Sequence, residues 1–163
     1  MHIQGEDGYF GVVLTPALSR GFFVFMLRFG ERVLGDGQPA GVYASVAALA
    51  DLNALDDPRI DPDLHSPTAI LDFLTSDDRL DVDDEDNLYD LTLPGWGESM
   101  DGYSTRAYLW GNEAIFLFGE RTRTNDPDSW VWDEALLFRV DRVELAAIAA
   151  AALAALKAFD AAR

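Results

Sequence analysis

The stretch 103–120, YSTRAYLWGNEAIFLFGE, decides the fold of this chain. Two segments rich in aromatic and apolar residues flank Gly111-Asn112, and this combination predicts a β-hairpin with a two-residue turn. In that register Leu109 faces Ala114, and side chains alternate between the two faces. One face is predicted to enter the core, and it carries Thr105, Ala107, Leu109, Ala114, Phe116 and Phe118. The other face is amphipathic and carries Arg106, Tyr108, Trp110, Glu113, Ile115 and Leu117.

Strands are also predicted on both sides of this hairpin. Towards the N-terminus, a short strand over 9–14 is followed by an aromatic strand over 21–29 (GFFVFMLRF). Gly30-Glu31 then forms a turn with glycine first, and 32–34 returns as the second arm of another hairpin. After the central hairpin, 130–140 is predicted to be one more strand.

Three helices are predicted from capping residues and apolar spacing. Ser45 is a candidate N-cap for a helix over about 46–54, and Ser66-Pro67 begins a second, short helix. Asp141 is predicted to cap the last helix, about 142–161, with Glu144 three residues later as in a capping box. That helix contains 11 alanines between Ala146 and Ala162. Its apolar stripe is predicted to run through Leu145, Ile148, Ala152, Leu156 and Phe159.

The order of these elements predicts an α+β fold. Hairpins, rather than alternating strands and helices, favour an antiparallel sheet with helices packed on one face and an alanine-rich helix at the C-terminus. The length of 163 residues favours a single domain, 1–163. Residues 76–90 are acidic and weakly apolar, so we expect an acidic loop excursion there.

The charge of the chain is unevenly distributed. There are 29 acidic and 12 basic residues, a net charge of −17. The window 51–101 holds sixteen acidic and two basic residues, a net of −14, whereas the other 112 residues carry −3. Adaptation to high salt would spread the acidic residues over the whole surface. Three interpretations of the window remain open: a solvated acidic face, adaptation to high salt, which fits the concentrated charge less well, and a face that binds a basic partner.

Composition also excludes several classes of function. A strongly acidic chain is a poor ligand for DNA, RNA or anionic membranes, which all require basic surface. The absence of cysteine excludes disulfides, zinc-thiolate sites and thiol nucleophiles. The N-terminus shows no signal for secretion, and the charges in the alanine-rich tail make it a poor membrane span. We therefore expect a cytoplasmic protein without nucleic-acid or membrane partners.

Motifs for catalysis and metal binding are incomplete. A calcium loop beginning at Asp81 lacks the glycine at its sixth position and the glutamate at its twelfth. The segment 35–40 (GDGQPA) matches a dinucleotide-binding pattern, but no strand is predicted after the following helix. The histidines, His2 and His65, have no accompanying nucleophile motif. We therefore expect no catalytic residue, metal ion or cofactor.

One family pattern is present in the order of elements. The segment 25–36 (FMLRFGERVLGD) is an aromatic strand, a glycine turn and a short return ending in Gly-Asp, and a capped helix follows at 45–52. SMDGY at 99–103 opens the hairpin that ends in FLF at 116–118, and a strand and a helix close the chain. In this order the chain resembles the immunity proteins that bacteria pair with polymorphic or contact-dependent toxins. The acidic segment 76–90 and the alanine-rich tail depart from that pattern.

The resemblance implies a cytoplasmic inhibitor that binds one cognate toxin domain, and it supplies no catalytic residue. Many such toxins are nucleases or otherwise cationic, which would suit the acidic window. The sequence thus predicts a non-catalytic binding protein. Its alternatives are an effector chaperone or other adaptor module, and a small metal-binding or hydrolytic enzyme. Carboxylates, together with tryptophans of the kind found in interface hot spots, make up the predicted partner-binding set: Asp77, Asp78, Asp81, Asp83, Asp84, Glu85, Asp86, Trp96, Asp101 and Trp110.

Overall fold

The computed structural model describes residues 1–18, 22–35, 37–52, 66–69, 103–123 and 130–162. Eight strands and two longer helices lie in these ranges, and we number them in chain order. They are β1 (His2–Gln4), β2 (Phe10–Pro16), β3 (Phe23–Phe29), β4 (Arg32–Leu34), β5 (Pro39–Ala40), α1 (Tyr43–Leu52), β6 (Tyr103–Trp110), β7 (Glu113–Arg123), β8 (Trp130–Asp141) and α2 (Arg142–Ala161).

The first sheet contains the N-terminal strands in the order β1-β2-β3-β4, with β5 also paired to β3, and all pairs are antiparallel. The predicted turn between β3 and β4 is present, and Gly30 adopts a φ of 60°, which favours glycine. Burial alternates along β3, so that Phe23, Phe25, Leu27 and Phe29 face the core. The sequence analysis missed β1 and β5, which have three and two residues.

The second sheet is the antiparallel meander β6-β7-β8. The predicted hairpin register is confirmed, since Leu109 pairs with Ala114 and Gly111 takes a φ of 58° in the turn. The predicted core face is buried where its side chains are described. The opposite face was predicted to be amphipathic, but its residues Tyr108, Ile115 and Leu117 are buried and at most 2% exposed.

A cluster of phenylalanine rings joins the two sheets. Phe29 of β3 stacks on Phe138 of β8 with ring centroids 4.2 Å apart and planes 14° from parallel. It also contacts Phe116 at 5.4 Å and Phe118 at 5.8 Å. Aromatic pairs of this kind contribute about 0.5–1.5 kcal/mol beyond the area they bury. The core therefore lies between the sheets and continues onto the helices.

Helix α1 begins earlier than predicted. The carbonyl of Val42 already accepts the N–H of Val46 at 2.9 Å, so the helix begins at Tyr43 and ends at Leu52. The prediction of Ser45 as N-cap is wrong, because Ser45 is buried inside the first turn. The predicted cap Ser66 does accept the N–H of Ala69 at 3.1 Å. The rest of that predicted helix lies outside the described residues.

Helix α2 begins where the sequence predicts. Oδ1 of Asp141 accepts the N–H groups of Val143 at 2.8 Å and Glu144 at 3.2 Å, and such a cap is worth about 1 kcal/mol. The reciprocal half of a capping box does not form, because the Glu144 side chain lies against Gly5 instead. The predicted apolar stripe is confirmed: Leu145, Ile148, Ala152 and Leu156 are buried, and Phe159 contacts Phe23.

These elements confirm the predicted α+β class, with the strands divided into two antiparallel sheets. Helix α2 packs on both sheets and on α1, and the Tyr43 hydroxyl donates a hydrogen bond of 2.6 Å to Asp160 at the far end of α2. None of the helices in the described part of the chain is long and apolar enough to cross a membrane.

Candidate functional site

Most of the predicted partner-binding residues lie outside the described ranges. These are Asp77, Asp78, Asp81, Asp83, Asp84, Glu85, Asp86, Trp96 and Asp101, and the predicted acidic excursion at 76–90 lies there too. The described residues carry eight basic and eleven acidic side chains, a net of −3, so the remaining −14 falls on the other residues. Trp110 is the one member of the predicted set that the described structure locates.

Trp110 ends β6 beside the Gly111-Asn112 turn. It is half-buried and pairs across the ladder with Glu113. This turn is tied to the start of α2, because the Arg142 N–H donates to the Asn112 carbonyl at 3.0 Å and its guanidinium donates to the Gly111 carbonyl at 3.1 Å. Trp110 therefore lies beside a turn that hydrogen bonds hold against the helix.

Charged and aromatic side chains surround this end of the second sheet. Arg139 of β8 forms a 3.1 Å ion pair with Glu113, with side chains 47% and 41% exposed. At this exposure the pair stabilises the fold by at most about 1 kcal/mol. Burial is the main cause that raises the pKa of Tyr9, and the backbone N–H of Arg139 acts in the opposite direction. Tryptophan, tyrosine and arginine are the residue types favoured in interface hot spots.

Tyr108 lies one step further along the same face of the sheet. It is 2% exposed, and its hydroxyl is buried without a hydrogen-bond partner. Burial raises the pKa of Tyr108 far above its ordinary value, against the opposing effect of the Arg139 charge. The phenol therefore stays neutral at physiological pH. The sequence analysis placed Tyr108 on an amphipathic face, and periodicity alone offered no sign of this burial.

An acidic cleft lies at the start of α2, and the sequence analysis missed it. Glu6 and Asp7 follow β1, whereas Asp141 and Glu144 open α2, and all four line an open cleft of about 630 Å³. Its walls are completed by Ile3, Gln4, Gly5, Val143, Ala147, Ile148 and Ala151. The two pairs of carboxylates are more than 130 positions apart in the chain, so only tertiary packing brings them together.

Glu144 is the most constrained carboxylate of this cleft. Its Oε1 is buried with no hydrogen-bond partner, and a Cβ atom placed on Gly5 would lie 1.4 Å from it. Burial is the main cause that raises the pKa of Glu144, and the neighbouring Asp7, Asp141 and Glu6 raise it further. Within the described ranges, no group of three or more His, Asp or Glu side chains is arranged to hold a metal ion.

Comparison with known proteins identifies the fold. No family model matches the sequence, and no curated protein matches it. The structure is similar to the crystal structure of CdiI from Burkholderia dolosa AUO158, with a TM-score of 0.58 over 94% of this chain and 99% of that chain. The two sequences are 17% identical, so the similarity shows a shared fold. CdiI is an immunity protein of contact-dependent inhibition, the kind of protein that the order of elements in the sequence resembles.

Proposed function

We propose that this chain is an immunity protein, a non-catalytic cytoplasmic inhibitor that binds one cognate toxin domain and blocks it. The observation that carries the proposal is the similarity to CdiI, which extends over nearly the whole length of both chains. The sequence gives separate support, since the order of strands, turns and helices that it predicts resembles the order in such proteins.

The acidic window supplies the proposed mode of binding. Carboxylates at Asp77 to Asp86 would dock on a cationic site of the toxin, such as a cleft that binds phosphates in a nuclease. Trp96, Asp101 and Trp110 would flank that contact. Carboxylates gain charge-assisted hydrogen bonds from arginine and lysine, and a concentrated charge accelerates encounter with a cationic partner.

Growth rescue provides the first test of this function. A candidate toxin domain is taken from the reading frames next to this gene and is expressed from an inducible promoter in a bacterial host, with and without this chain. We expect the chain to restore growth and to copurify with the toxin domain as a stable complex. Toxicity that is unchanged by this chain, together with no binding between the purified proteins, would contradict an immunity role.

A second test addresses the acidic window by itself. Two matched double variants each remove two negative charges: Asp83→Asn with Asp84→Asn in the window, and Glu31→Gln with Asp160→Asn at exposed positions outside it. We expect the first pair to slow association severalfold at low salt and to flatten its salt dependence, since steering by charge acts on the on-rate. Equal effects of the two pairs would indicate a general effect of net charge and would refute a localised acidic face.

A further inference from the structure

Within the described residues, strand β1 has one edge with which no other strand pairs. The mutual hydrogen bonds of Met1 with Leu14, and the pairing of Ile3 with Val12, direct these residues towards β2. Because the backbone groups of an antiparallel strand alternate in direction, the N–H and C=O groups of His2 and Gln4 point away from β2. Across the described residues, no strand lies on that side of β1.

A groove runs between this edge and helix α2. Val143, Ala147 and Ala151 recur every four residues and form one wall, while Ile3 and Gln4 form the other. The alanine side chains are small, and Val143 is 78% exposed although it is apolar. An added strand would lie about 4.8 Å from β1. The cleft of about 630 Å³ has the size of a typical ligand site.

The negative charge at one end of the groove favours a ligand that carries a positive charge. Four acidic residues line that end, Glu6, Asp7, Asp141 and Glu144, and one buried oxygen of Glu144 has no partner. Carboxylates brought together in this way repel one another, and an arginine or lysine side chain placed among them would remove that repulsion. Apolar walls and an acidic end therefore fit an extended segment that carries apolar residues and one cation.

We propose that the groove between β1 and α2 binds an extended segment of the cognate toxin. The segment adds as a strand to β1 and places an arginine or lysine side chain against the four carboxylates. The backbone of the segment bonds to His2 and Gln4, and its side chains contact the wall formed by α2. The identity of this partner rests on the proposed function, whereas the groove, its open edge and its charge do not.

Two pairs of variants test the groove with the purified toxin domain as the probe. Gln4→Pro removes the outward N–H and keeps the β1–β2 hydrogen bonds, and Gln4→Ala is its control. Ala151→Gln fills the groove from an exposed helix position, and Ala150→Gln places the same side chain on an exposed position outside it. We expect the dissociation constant to rise about tenfold for Gln4→Pro and Ala151→Gln. It should change less than about twofold for the two controls.

Hydrogen exchange measured by NMR supplies a readout that is specific to strand addition. In the complex, the amide protons of His2 and Gln4 should become protected, and the amide of Ile3, which already bonds to β2, should change little. If Gln4→Pro destabilises the fold, two other measurements decide whether the toxin segment binds in the groove. These are the affinities of Ala151→Gln and its control Ala150→Gln, and the exchange pattern of the unmodified chain.

The outcomes separate the groove from the proposed function. Tight binding of the toxin by all four variants, with unchanged exchange at His2 and Gln4, would overturn the groove and leave the immunity role intact. If the unmodified chain does not bind the toxin domain, the proposed function fails and the proposed occupant of the groove fails with it.

Discussion

Phe29 is predicted to couple the two sheets of this protein. It is 2% exposed and stacks on Phe138 at 4.2 Å, with Phe10, Phe116 and Phe118 within 6 Å. Phe29→Leu keeps most of the apolar volume but removes these aromatic contacts and leaves a partly filled space. From the energies of aromatic pairs and of altered core packing, we expect the free energy of unfolding to fall by about 2 kcal/mol. In a domain of this size, that corresponds to a melting temperature lower by about 4–8 °C.

Urea denaturation followed by tryptophan fluorescence measures this change, and Phe22→Leu at a 45% exposed position is the control. The control should lose less than about 0.5 kcal/mol. A double-mutant cycle with Phe138→Leu should give a coupling energy of about 0.5–1.5 kcal/mol. A coupling energy near zero, with each single variant destabilised, would refute stacking as the interaction that joins the sheets at this point.

Two further predictions concern Glu144 and the hairpin turn. Glu144→Gln should stabilise the protein at pH 7, because the folded state raises the pKa of this carboxyl and so disfavours its charged form. The native protein binds the Glu144 proton more tightly than the unfolded chain, so this contribution is most favourable below the ordinary pKa of 4.5 and is lost as pH rises through the folded value. The advantage of the variant, measured by urea denaturation across pH, should therefore shrink towards pH 4.5, and a constant difference would contradict this reasoning. Gly111→Ala should cost about 1 kcal/mol, since Gly111 has a φ of 58°. Gly41→Ala, where an added Cβ meets no atom within 4 Å, should be neutral or stabilising. Thermal melts of both variants measure this difference, and similar losses at both glycines would argue against backbone strain as the cause.

The parts of the fold that the sequence predicted correctly depend on neighbouring residues. Gly111 allows the backbone conformation of the turn, and the alternating side chains on either side of it set the register of β6 and β7. Asp141 caps α2 because its carboxylate reaches N–H groups two and three residues away. Such interactions are readable from a short window because both partners lie within it.

The predictions that were wrong or incomplete concern residues whose surroundings come from other segments of the chain. Ser45 is a good N-cap by residue type, yet α1 begins at Tyr43, three residues before its predicted start, and Ser45 is buried in the first turn. Strand β1 has only three residues, and it exists because Met1 and Ile3 pair with a strand ten residues away. Tyr108 occupies an alternating position that predicts partial exposure, but the structure buries it almost completely. Each outcome depends on contacts between segments.

The candidate sites divide in the same way. Composition alone locates an excess charge of −14 in the window 51–101, and it favours a basic partner there over nucleic acid. The acidic cleft at α2 is invisible to composition, since Glu6 and Asp7 come from one end of the chain and Asp141 and Glu144 from the other.

By itself, the sequence determined the α+β class, the central hairpin, the cap of the last helix and the uneven charge. These follow from side-chain periodicity, glycine conformation and local hydrogen bonds. The division into two sheets, the open edge of β1 and the groove beside α2 were decided only by the tertiary structure. The physical reason is that burial and the proximity of like charges depend on distances in space. The packing of Phe29, Ile3 and Leu145 sets these distances, and the order of residues does not reveal them.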